Sequence, residues 1–208
     1  MTIAGVGQTT NATCNQEQGR DTWFGLKQTF ALQNIRNGNP PLAEDPAVIV
    51  AAVLPLAGSN TFTVIAQPDV PRTITATLTS SGPLKIVATV RGKDYDGNPI
   101  SEPLIVTDGT PSMPTTQAFF EVDSIKGTAV GTIGGGDTIS FGVGPALGIP
   151  ARLGNVTDII AKRDSGSGED TTGVIIIAAS GWATWNPATP PDTSTSYFIT
   201  VQSSYGVK

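Results

Sequence analysis

Between Asp69 and Leu153 the chain alternates apolar and polar residues in short runs, and Gly, Pro, Asp and Asn interrupt those runs throughout. A period of two places successive side chains on opposite faces of a strand, so the pattern fits antiparallel strands with one face in a core and the other in solvent. The 24 Gly and 16 Pro leave little room for long helices, and Thr, Val and Ile fill the intervals between them as half-buried strands require. A chain of 208 residues that is 38% hydrophobic can bury one good core. The expected fold is therefore all-β, an antiparallel β-sandwich of jelly-roll or immunoglobulin-like type over residues 46–208, preceded by an extended N-terminal arm over residues 1–45.

From Pro46 onward, strands are expected in order. "AVIVAAVL" is a continuous apolar run of strand length, "TFTVIA" and "RTITATLT" alternate, and "LKIVATVR" follows the Ser80-Ser81-Gly82-Pro83 turn. In "RTITATLT", Ile74, Ala76 and Leu78 share one side. Thr73, Thr75, Thr77 and Thr79 share the other, a face suited to solvent or to a neighbouring subunit. Asp96-Gly97 signals the hairpin into "ISEPLIVT". Further strands are expected at Ala118–Lys126, Asp137–Val143 and Asp158–Lys162, with Gly134-Gly135-Gly136 as a turn. Gly142, Gly144 and Gly148 suggest bulges or close backbone approach. Asp164–Asp170 reads as an exposed acidic tip, "TTGVIIIAAS" as a buried strand and "SYFITVQSSY" as its partner.

The first 45 residues are polar and rich in Gln, Asn and Gly. Their apolar residues gather at Trp23, Phe24, Leu26, Phe30, Leu32 and Ile35, too few for a separate core. Trp23, Phe24, Leu26 and Phe30 are the expected anchors of an arm that docks on another chain or folds back on its own domain.

Several chemistries are disfavoured. The sequence has no histidine, which removes the commonest general base and every His-ligated metal site. Cys14 is the sole cysteine, so neither an intrachain disulfide nor a Cys-based zinc site is expected. Asp94, Asp96 and Asn98 echo half a calcium loop, but counting from Asp94 positions 6 and 12 are Pro99 and Ile105 where Gly and Glu are needed. No metal and no cofactor are expected. Carboxylate-based glycoside hydrolysis would draw on Asp94, Asp96, Glu102, Asp108, Glu121 and Asp123, each placed at a turn or an exposed strand face, and no enzymatic activity is expected.

A net charge of −5 with scattered Lys and Arg offers no basic footprint for nucleic acid. The start "MTIAGVGQTT" lacks the pattern of a secretory signal, and the longest apolar run is too short to span a bilayer. The expectation is a soluble chain made in a cytoplasm, with no membrane contact. Trp182 and Trp185 form a candidate surface-binding loop that could stack on sugar; their alternative role is to pack over the edge of their own sandwich.

One set of pieces resembles a known family. Asp69-Val70-Pro71-Arg72 leads into a strand, and Asp94-Tyr95-Asp96-Gly97-Asn98-Pro99-Ile100-Ser101-Glu102 closes another. Later come Gly136-Asp137 with Leu147-Gly148-Ile149-Pro150, and then Thr184-Trp185-Asn186-Pro187-Ala188 with Pro191-Asp192. In this order they resemble structural proteins of tailed-phage virions, in particular head decoration or cement proteins. That resemblance implies a β-sandwich on the outer head surface that binds the major capsid protein, stabilises the mature shell and self-associates, with a trimer favoured. Its rivals are a neck, tail or head-fibre component and a carbohydrate- or receptor-binding module.

Overall fold

Thirteen strands and one short 3-10 turn, Val156–Asp158, make up the regular structure of the described residues, which are 27–33, 38–108 and 112–202 of the computed structural model. The strands are β1 (Lys27–Leu32), β2 (Asp45–Val53), β3 (Gly58–Phe62), β4 (Arg72–Thr79), β5 (Leu84–Lys93), β6 (Pro99–Thr107), β7 (Glu121–Gly131), β8 (Thr138–Arg152), β9 (Ile159–Asp164), β10 (Gly168–Glu169), β11 (Val174–Ile177), β12 (Trp182–Asn186) and β13 (Tyr197–Gln202). Every pairing between them is antiparallel. The fold is all-β, with antiparallel sheets packed on one another as a sandwich.

Three sheets share the work. A front sheet has the order β3-β7-β5-β6 and a rear sheet the order β1-β13-β9-β10. The central sheet is organised by β8, the longest strand at 15 residues. Its first half pairs with β2 on one edge and β4 on the other, and its second half pairs with β12 along the edge that β2 has left. Two apolar clusters result. The front core lies between the front sheet and the first half of β8, and includes Ile49, Ile74, Ile86, Ile125, Ile139 and Phe141. The rear core lies between the rear sheet and the second half of β8, and includes Phe30, Leu147, Ile149, Trp185, Tyr197 and Ile199.

The glycines of β8 make this crossing possible. A Cβ at Gly142 would fall 1.8 Å from the Asp45 carbonyl oxygen, and one at Gly148 would fall 2.7 Å from the Cβ of Pro71. Strands β2 and the start of β4 therefore approach β8 more closely than a side chain permits.

Four expectations need correction. The arm does not extend through residues 27–32, because β1 pairs along its whole length with β13 and turns Phe30 and Leu32 into the rear core. The threonine side of β4 is not free: Thr73 and Thr75 are buried. Residues 112–117 run beside β4, with the Ser112 amide donating to Ala76 O at 3.0 Å and the Thr115 amide to Ile74 O at 2.9 Å. Strand β11 pairs with β12, not with β13, and its Val174 and Ile176 are exposed, as an edge strand allows. The Asp164–Asp170 tip keeps its middle in solvent, but Asp164 and Asp170 themselves are buried and accept hydrogen bonds from the loop.

Candidate functional site

The residues expected to carry function fall in three places. Trp23, Phe24 and Leu26 lie outside the described residues. Phe30 stands opposite Ile199 in the β1–β13 ladder and is buried in its own rear core, so it is no free anchor. Trp185 is fully buried: its indole N–H donates to Asp170 at 3.0 Å and its ring meets Tyr197 edge-on at 5.7 Å. It cannot present a stacking face to a sugar, and that part of the expected surface-binding loop is withdrawn. Trp182 is half-buried, with the Arg152 guanidinium 5.2 Å over its ring and Tyr95 tilted against it at 5.9 Å. The pair of tryptophans thus joins sheets; neither offers an open platform.

The carboxylates have structural partners as well. Asp94 holds the β5–β6 turn, its Oδ1 accepting from the amides of Asp96 and Asn98 at 2.9 and 2.8 Å, while Gly97 takes a φ of 81°. Asp96 pairs with Arg152 at 2.9 Å. Glu102 accepts from Thr116 and from the Gln117 amide, and Asp108 from the Ser80 amide. Glu121 lies 2.7 Å from Lys93, which also reaches Asp123 at 3.9 Å; the contact with Glu121 raises the Lys93 pKa. Among the described residues, no group of three or more His, Cys, Asp or Glu side chains converges as metal ligands would.

The motifs that carry the phage resemblance also do structural work. Arg72 is completely buried. Its Nε and Nη2 donate to Gly144 O at 3.0 and 2.7 Å, its Nη1 donates to Leu42 O at 2.6 Å, and Asp69 stands 3.6 Å away. Burial lowers the guanidinium's pKa and Asp69 opposes that shift. Asp137 accepts from the amides of Gly134 and Ser81, tying two turns together, and these bonds lower its pKa. At Asp170 burial is the largest single influence and pushes the carboxyl up. Donation from the amides of Ala188, Gly173 and Thr172 and from Trp185 outweighs it, so the net shift is downward. These buried charges find their hydrogen-bond partners within the chain.

What the fold leaves available is surface. On the outer face of the front sheet the outward positions of β5, β6 and β7 stand side by side: exposed Val87 lies between Ile105 and Thr128, and half-buried Thr89 between Pro103 and Lys126. Val87, Ile105 and Val130 are 39, 56 and 56% exposed on this face. Edge strand β6 carries Pro99 and Pro103, which cannot donate to an added strand, so that edge is blunted while the face stays open. Beside the other edge strand, β3, lies an open notch of about 260 Å³ walled by Val53, Leu54, Leu56 and Ile65. Exposed apolar area of this kind marks contact surfaces better than it marks substrate sites.

No protein-family model, no curated protein and no solved structure matches this chain. Its all-β fold and its surface therefore stand on their own geometry.

Proposed function

We propose that this chain is a structural protein of a tailed-phage virion, a capsid decoration protein that binds the outer head surface through the major capsid protein and stabilises the mature shell. The observation that supports this reading most is the outer face of the front sheet, a rigid antiparallel surface that offers apolar and hydroxyl side chains to a partner. The order of motifs that resembles decoration proteins adds to it. A rigid body that binds only the expanded lattice stabilises that lattice by mass action, without any catalytic group. Copies associating as a trimer belong to the same proposal.

The test is the stoichiometry of this chain against the major capsid protein in purified particles, together with the heat resistance of heads with and without it. A copy number that scales with the capsid lattice, and heads that lose heat resistance when it is missing, are the expected results. A few copies per particle would instead indicate a neck, tail or head-fibre component. Light scattering of the free chain checks the trimer.

A further inference from the structure

The outer face of the front sheet carries Lys85 and Arg91 on β5 and Lys126 on β7. All three are exposed and none forms an ion pair with a described residue; Lys27, Lys162 and Arg163 of the rear sheet have none either, so what sets the three apart is the face they share. Lys126 stands opposite Thr89, so the cations rise along the face at the levels of residues 85, 89 and 91 of β5. That spreads them over about 20 Å of strand. The residues between them, such as Val87, Thr128, Ile105 and Pro103, are neutral. Acids border the face at both ends: Asp123 at the Arg91 end, engaged with Lys93, and Asp108 next to Thr107, the ladder partner of Lys85, where it accepts from the Ser80 amide. At the Arg91 end the face dips into an open hollow of about 420 Å³ bordered by Arg91, Ser101, Asp123 and Ser124.

A chain of net charge −5 thus carries, on one face of its front sheet, three cations with no ion pair among the described residues. We infer that this face docks a protein surface that presents carboxylates within a neutral, partly apolar patch. The inference rests on the docking role proposed above and names the chemistry of the partner. Complementary charge of this sort sets register and speeds encounter, while Val87, Ile105 and Val130 supply the apolar contact. A second copy meeting this face symmetrically would set the three cations against themselves, so the occupant is a different protein. Nucleic acid fits less well: three cations this far apart release few counterions, and the face has no aromatic platform for bases.

The experiment measures binding of the full chain to heads assembled without it, and in parallel to poly-L-glutamate at low salt. The variants are Lys85→Gln/Arg91→Gln/Lys126→Gln and the charge-keeping Lys85→Arg/Arg91→Lys/Lys126→Arg, each checked for an unchanged melting temperature. Loss of at least about tenfold in head affinity for the neutral variant, with retention in the charge-keeping one, is the expected result. Equal head binding by wild type and neutral variant overturns the inference and leaves the decoration reading standing. Failure of the wild type to bind heads removes the decoration reading. The poly-L-glutamate arm then decides alone: binding lost in the neutral variant upholds the face, and absent or equal binding overturns it. Retention of duplex DNA through these residues at physiological salt names nucleic acid as the occupant and overturns the inference too.

Discussion

The front and rear cores share one strand and are held in different ways. The front core carries no polar atom on any of its side chains, its three rings being Phe62, Phe119 and Phe141, and it builds its shape from period-two alternation on β4, β5, β7 and the first half of β8. The rear core has fewer buried apolar residues, 11 against 18, and relies on aromatics with polar handles. Trp185 is tied to Asp170, and the Tyr197 hydroxyl donates to Thr189 O at 2.9 Å, with burial pushing its pKa up to about 12. Large rings gain much area per residue, but Trp185 and Tyr197, unlike Phe30 and the front phenylalanines, each bring an N–H or O–H that must find a partner. The rear half is therefore the more sensitive to loss of one side chain and to acid.

The largest expected effect tests that directly. Trp185→Ala should destabilise the chain by about 3–5 kcal/mol through the cavity it leaves. Front-core Ile86→Val should cost only about 0.5–1.5 kcal/mol. Urea unfolding followed by circular dichroism compares them; a Trp185 variant no weaker than the Ile86 variant would break the contrast between the cores. Next is Asp170→Ala, which strands the donors of Trp185, Thr172, Gly173 and Ala188 and should cost about 1–3 kcal/mol. The same unfolding assay checks it.

Acid should open the rear half first. Asp192 is held down to about 2 by the amides of Ser194 and Thr195. Asp164 is also lowered: burial pushes it up, but donation from Ser167 and Gly166 prevails. A carboxyl whose folded pKa is depressed contributes stability that is present above its unfolded value, and that stability is lost as pH falls toward the folded one. Three such groups, Asp164, Asp170 and Asp192, lie in the rear half, against Asp137 at the front. Between about pH 4 and pH 2, hydrogen exchange should rise in β9, β12 and β13 before β5 and β7. The reverse order would show that the front turns, not the rear aromatics, are the weak point.

The smallest effect concerns the link between halves. Arg152 joins Trp182 of the central sheet to Asp96 at the front hairpin, but it does so at the surface. Arg152→Ala should cost under about 1 kcal/mol, because exposed pairs and cation–π contacts are weak in water. A shift in melting temperature beyond that size would mean that this latch couples the cores more than their shared strand does.

Alternation and punctuation in the sequence were enough for the strand class, for β4, β5, β6, β9 and β13 near their observed positions, and for the turns at Ser80–Pro83 and Asp96-Gly97. Each depends on contacts local in the chain or on one buried face repeating every second residue. The close approach at Gly142, Gly144 and Gly148 was legible too, since glycine inside a strand marks a bulge or a neighbour that leaves no room for a side chain. The partners were not legible. Nothing local says that "TTGVIIIAAS" pairs with the Trp182 strand, that β8 runs on for 15 residues through its glycines, or that Phe30 returns across the chain to face Ile199. The same holds for the candidate face: Lys85, Arg91 and Lys126 look scattered in the sequence and come to share one sheet face only when β5 and β7 pair. Burial decided the rest, because period two shows that a side chain has a face but not whether another segment, such as Ser112–Gln117 beside β4, will cover it.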